Sequence, residues 1–167
     1  MSSNSILYSP YTLPCGITVR NRVVKAAMEE NMSSKGCVPG ESLYSLYRYW
    51  AHGDLGMVIT GNVMVDKEAM TGPGGVVLEK DTNLAPFQKW AKIIKSNGAL
   101  AVMQINHPGR QVFKAMQGKA IAPSAVPLDM GKHSKLFAEP REVTCQDIHD
   151  VCQRFVHTAK QAEKAGF

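Results

Sequence analysis

Nothing in this sequence is long and apolar enough to cross a bilayer, since no run approaches the roughly 18 residues that a spanning helix needs. Met1 to Pro14 also lacks the basic start and apolar middle of a secretory signal, so the chain is expected in the cytoplasm, away from membranes. Cysteine is scarce: Cys15, Cys37, Cys145 and Cys152 form no C-x-x-C pair. Their scatter argues against a zinc site or a disulfide framework and predicts reduced, structural thiols. There is no block of basic residues and no interleaving of aromatics with them, so the formal charge of +5 gives no support to nucleic-acid binding. It is compatible with a phosphate-bearing ligand.

A recurring pattern stands out against these absences. Ala51-His52-Gly53-Asp54-Leu55-Gly56 closes an amphipathic stretch and opens Met57-Val58-Ile59-Thr60-Gly61; Lys95-Ser96-Asn97-Gly98 closes a second and opens Ala99-Leu100-Ala101-Val102-Met103-Gln104. Lys160 to Phe167 closes a third. Glycine just past a helix, followed by a short apolar run, is the signature of an α-to-β connection, because glycine takes the left-handed conformation without steric cost. The third junction predicts a further strand beyond Phe167, and residues 1–167 are therefore read as the N-terminal part of a single repeating β/α domain, ending before a fourth strand.

The pattern resolves into elements. Tyr11-Thr12-Leu13 and Ile17-Thr18-Val19 around Pro14-Cys15-Gly16 predict a hairpin able to plug one end of a barrel. Val23 to Met28, Gly56 to Gly61 and Ala99 to Ile105 predict three strands, each buried on both faces. Helices are predicted after Pro39, with Leu43, Leu46, Tyr47 and Trp50 inward; over Leu84 to Ser96, with Phe87, Trp90, Ala91 and Ile94 inward; and after Thr144, with Ile148, Val151, Cys152, Phe155 and Ala159 inward. Thr144 and Asp147 have the spacing of a capping box. Asn106 to Pro140 shows little periodicity, and Asn62 to Gly75 predicts a polar loop.

Alternating strands and helices leave two architectures, a doubly wound sheet or an eight-unit barrel. A dinucleotide-binding sheet would place G-x-G-x-x-G directly after the first strand, where this chain has Met28-Glu29-Glu30-Asn31. The glycines of Thr71-Gly72-Pro73-Gly74-Gly75 follow a loop and lack a Walker lysine, which makes them a turn. The fold class is accordingly α/β, a (β/α)8 TIM barrel represented by its N-terminal hairpin and about three βα units. Barrel chemistry sits at the carboxyl ends of strands, and attention falls on Ala26 to Glu29, Thr60 to Asn62 and Gln104 to His107.

At those positions the chain resembles the old yellow enzyme family of FMN-dependent NAD(P)H oxidoreductases. The resemblance is carried by Asn21-Arg22-Val23-Val24-Lys25-Ala26-Ala27-Met28, Gly61-Asn62-Val63-Met64-Val65, Met103-Gln104-Ile105-Asn106-His107-Pro108-Gly109-Arg110 and Ala122-Pro123-Ser124. It implies reduction of an activated alkene, an enone or dienoyl thioester, by hydride passed from NADH or NADPH through bound FMN. Cofactor-binding roles are implied for Ala26, Ala27, Met28, Glu29, Gly61 and Gln104, and a substrate-lining role for His107. An isoalloxazine ring needs an apolar floor, close backbone and a side chain that both donates and accepts, which suits the alanines, Met28, Gly61 and the amide of Gln104 in turn.

Glu29 departs from the hydroxyl or thiol common at that place, and is expected to turn away from the flavin or to have a raised pKa. Arg110 is expected in an ion pair, and His52, His133, His149 and His157 in no catalytic role. The family's substrate-polarising and proton-donating groups follow a fourth strand, so none is assigned here, and no metal site is expected. The runner-up reading is a non-catalytic half-barrel serving as an oligomeric or scaffold module. Both readings allow partners in a second copy or a complementary C-terminal half, because a half-barrel leaves strand edges unpaired.

Overall fold

In the computed structural model, which describes residues 5–167, four parallel strands carry a layer of three helices. The first residues of the Met1 to Pro14 segment lie outside the described part. The predicted hairpin forms as β1 (Tyr11–Thr12) and β2 (Thr18–Val19), antiparallel, with the Thr12 and Thr18 hydroxyls 2.9 Å apart. Then come β3 (Val24–Lys25), α1 (Glu41–Ala51), β4 (Met57–Met64), β5 (Val76–Val77), α2 (Ala85–Lys95), β6 (Leu100–Asn106), β7 (Ile121–Ala122), β8 (Arg141–Glu142) and α3 (Cys145–Ala165). β4 is central: β6 runs along one edge, while β3 and then β5 share the other, all parallel. This is an arc of barrel wall, and among the described residues it does not close.

Register separates the two faces of the wall. Lys25, Val58 and Ala101 form one row, all buried against the helix layer. There the core joins Leu43, Tyr44 and Tyr47 of α1 to Phe87, Trp90 and Ile94 of α2 and to Ala162 and Ala165 of α3. The flanking rows, Val24–Met57–Leu100 and Ile59–Val102, point the other way by the two-residue alternation of a strand. That second face is open: Val24 is 45% exposed and the other four are half-buried.

Several expectations need correction. The first strand is only Val24–Lys25, because beyond Lys25 the backbone leaves the ladder and the Ala26 carbonyl is taken by the Lys25 ammonium. The second strand runs on to Met64, since Gly61 marks a register shift between Ile59 and Asn62 and not a strand end. The loop expected over Asn62 to Gly75 therefore begins later, and Val76–Val77 adds an unforeseen strand pairing. Left-handed glycines close α2 and α3, at Gly98 and Gly166, but after α1 that conformation falls to Asp54.

The inward face of α3 is also displaced. Thr158, Ala162 and Ala165 are buried, whereas Ile148, Cys152 and Ala159 are exposed and Val151 and Phe155 half-covered. Only the C-terminal part of this helix packs, leaving most of the predicted stripe uncovered. The thiols differ from expectation too: Cys15, Cys145 and Cys152 are exposed, and only Cys37 packs, against Met64, Met70 and Val77. The Asn106 to Pro140 excursion is ordered by its own small cluster of Ala69, Val112 and Ala120 and by Phe113 stacked edge-on against Phe137.

α3 begins with the predicted capping box. The Thr144 hydroxyl accepts from the Asp147 N–H at 3.1 Å, and the Asp147 carboxylate accepts from the Thr144 N–H at 2.7 Å. Arg141 adds a two-pronged contact to the same carboxylate at 2.6 and 2.8 Å. The Arg141 guanidinium and the Thr144 donors together hold the Asp147 carboxyl well below the usual carboxylate range. A folded-state pKa below the unfolded one gives stability that is complete above about pH 4 and lost as pH falls through the folded value. Helical circular dichroism of the wild type is thus expected to decline in acid more than that of Asp147→Asn, which lacks the titrating group.

Candidate functional site

The open face leads to the carboxyl ends of β3, β4 and β6, where the residues singled out by sequence gather. Ala26 and Met28 are exposed, Met28 by 51%, and Ala27 is half-buried. Ile59 and Val102 form the last row of the open face before the register shift, and the exposed Ala26 and Met28 follow the end of β3 beside it. Gln104 sits in β6 opposite Asn62, with its side chain exposed. Its backbone N–H donates to the Thr60 hydroxyl at 3.0 Å, and that hydroxyl donates to the Gly61 carbonyl at 2.8 Å. Thr60 thereby takes the ladder position that the register shift vacates, and fixes where Gln104 stands.

Gly61 is buried, and its missing Cβ has a specific occupant. A Cβ there would run into the Met28 carbonyl oxygen and the Glu30 carboxylate, so β4 and the segment after β3 approach as closely as only glycine permits. Glu29 is exposed, and its carboxylate accepts a hydrogen bond from the Thr71 hydroxyl, which turns it toward the Thr71 to Gly75 turn. His107, one residue past β6, is half-buried; its Nδ1 accepts from the Gly109 N–H at 3.1 Å, leaving Nε2 as the donor. Burial pushes the His107 pKa down, outweighing the upward pull of Asp66, with Arg154 adding a smaller downward push. The ring is accordingly neutral at pH 7.

A set of residues not singled out by sequence lies directly behind this surface, on the helix side of the wall. Lys25 is buried, its ammonium donating to the carbonyls of Ile59 at 2.9 Å and Ala26 at 3.1 Å. It stands 3.6 Å from a Glu30 carboxylate oxygen and 4.3 Å from the centre of the Trp50 ring. The Tyr47 hydroxyl donates to that same Glu30 oxygen at 2.5 Å and accepts from the Gly61 N–H at 3.1 Å. Burial lowers the Lys25 pKa, with Glu30 opposing. Burial first, and then the Glu30 contact, raises the Tyr47 pKa far above the usual phenol range and keeps its hydroxyl a donor. One signal for this network was legible, a lone lysine inside the apolar run Val23 to Met28.

Arg110 corrects another expectation. Its guanidinium donates to the Val126 carbonyl at 2.9 Å and meets no carboxylate among the described residues. Also among the described residues, no group of three or more His, Cys, Asp or Glu side chains could hold a metal ion, and no helix is long and apolar enough to cross a membrane. The chemistry on offer is therefore an apolar platform, the exposed residues Ala26 and Met28 after β3 and the exposed amide of Gln104. This donor set fits the face and pyrimidine edge of a flavin ring, and the described residues add no phosphate cradle to it.

Known proteins share this fold. An NADH-dependent flavin oxidoreductase (iliE) of Hypocrea jecorina is 36% identical over 174 residues, covering 95% of this chain and 43% of the relative. The old yellow enzyme homologue of Zymomonas mobilis superposes with a TM-score of 0.83 at 22% identity, over 98% of this chain and 46% of that one. Morphinone reductase in complex with tetrahydroNAD does so with a TM-score of 0.83 at 19% identity, over 98% of this chain and 48% of that one. The chain spans less than half the length of the curated relatives it matches, 23% of one iliE protein and 43% of the other. The arc of wall described above is thus the N-terminal portion of a TIM-barrel fold. The sequence profile of the NADH:flavin oxidoreductase / NADH oxidase family matches residues 6–167, and the chain belongs to that family.

Proposed function

We propose that this chain provides the flavin-ring face of an FMN-dependent oxidoreductase that uses NADH or NADPH to reduce activated alkenes such as enones or dienoyl thioesters. The observation that carries the reading is the open apolar face of Ile59 and Val102 with the exposed Ala26 and Met28 at the end of β3 and the exposed side chain of Gln104 on β6. When bound, FMN supplies hydride acceptance from the nicotinamide and hydride delivery to the alkene. Ala26 and Met28 give the ring an apolar floor, and Ala27 and Met28 bring backbone to its edge. Gln104 donates and accepts along the pyrimidine side from a position set by Thr60. His107, neutral and with Nε2–H as donor, lines the place of the substrate, while the substrate-polarising and proton-donating groups lie outside this chain. Glu29 is drawn off toward the rim by the Thr71 hydroxyl, where a carboxylate least opposes charge on the reduced ring.

A second reading is favoured by the edges of β3 and β6 away from β4, which pair with nothing among the described residues. It makes the chain a half-barrel module that self-associates or joins a C-terminal half, without catalysis. Flavin content by visible absorption, measured together with elution size, separates the two. Stoichiometric yellow protein is expected from the first reading; a colourless oligomer that stays colourless after incubation with excess FMN would overturn it.

A further inference from the structure

We propose that Lys25, Glu30 and Tyr47 are positioning residues, a buried clamp that fixes the Ala26 to Glu30 segment against the Thr60–Gly61 shift so that the two flavin-facing pieces keep one geometry. The proposal rests on the flavin reading above. Its starting point is that a buried ion pair is a poor source of stability, since apolar residues of the same shape often do as well or better. What this pair does is satisfy particular backbone groups. The Lys25 ammonium takes the carbonyls of Ala26 and Ile59, and Tyr47 takes the Gly61 N–H, while Glu30 anchors both donors. A register shift draws backbone groups out of the strand ladder, and Ile59 and Gly61 flank the one in β4. Each partner of the clamp thus either belongs to the segment after β3 or grips the shift that sets Gln104. The close fit of Gly61 against Met28 and Glu30 leaves no slack between the two pieces.

The test uses the full chain as wild type, the K25M/E30Q double variant, which removes both charges together, and Tyr47→Phe, which removes two hydrogen bonds at nearly constant shape. Amide hydrogen exchange is expected to run about fivefold or more faster in residues 26–31 and 60–62 of both variants, the factor that loss of one ordinary hydrogen bond gives. Exchange in α2 and α3 should be unchanged. Unaltered exchange in 26–31 overturns the clamp. A titration with FMN, followed by flavin fluorescence and the visible band shape, is expected to show about tenfold weaker binding by the double variant together with a displaced band. Equal affinity and identical bands in wild type and variant overturn the positioning role. A wild-type chain that takes up no FMN instead overturns the flavin reading, and the exchange result still decides whether the clamp exists.

Discussion

Lys25→Met is expected to lower the stability of the chain by about 3–5 kcal/mol, seen as a large fall in the urea midpoint at an unchanged slope. The lysine side chain is only 5% exposed and that of Glu30 only 8%, so the substitution leaves a carboxylate in the helix layer with the Tyr47 hydroxyl as its main remaining donor. Methionine keeps the length and most of the volume of the lysine stem and removes only the ammonium that stands over the Trp50 ring, so the loss is electrostatic and not that of a cavity. Adding Glu30→Gln to the same chain removes the stranded charge, and most of the lost stability should return. Against a total of about 5–15 kcal/mol for an ordinary domain, the single variant is close to unfolding and the double variant is not. A loss below about 1 kcal/mol in Lys25→Met would mean that Glu30 reaches water, and the pair would then be no different from a surface contact.

The same residues show where sequence reading reaches and where it stops. The hairpin, the inward face of α2 and the capping box of α3 were legible because each is a local pattern, with spacing of two, three or four residues deciding the contacts. The stripe of α3 misled because periodicity reports that a face is apolar and not what covers it; Ile148 is 52% exposed. Gly61 read as the end of a strand, whereas the close approach of Met28 and Glu30 makes it a point where the strand shifts register and continues. Gln104 and the Ala26 to Met28 segment were reached through resemblance; Gln104 lies in β6 and the segment follows β3, the two strands on opposite edges of β4. The clamp behind them was not reached, because its members come from β3, the loop after it, α1 and β4, and no spacing in the chain joins them. In physical terms the surface residues proposed for the site stand in local motifs, whereas the contacts behind them are tertiary.

Trp90→Ala carries the other large effect, an expected loss of about 3–5 kcal/mol, again read from the denaturant midpoint. Trp90 has no exposed surface and stands edge-on to Tyr47 at 5.0 Å and to Phe167 at 5.6 Å between ring centres, so it joins α1, α2 and the end of the chain in one core. Its removal opens a cavity behind Tyr47, the residue that holds both Glu30 and Gly61, and the loss should therefore include faster exchange at residues 60–62. The indole has a defect of its own, since the Nε1–H is buried without an acceptor among the described residues. An unsatisfied buried donor costs about 1–3 kcal/mol, so Trp90→Phe, which deletes that donor while keeping an aromatic ring, is expected to change stability by no more than about 1.5 kcal/mol. The chain has two tryptophans, so in Trp90→Phe the remaining fluorescence belongs to Trp50, 4.3 Å from the Lys25 ammonium. Unfolding of that variant followed by Trp50 emission then reports directly on the clamp. A loss from Trp90→Phe as large as that from Trp90→Ala would show that the indole nitrogen is satisfied in solution and that its contact belongs to the fold.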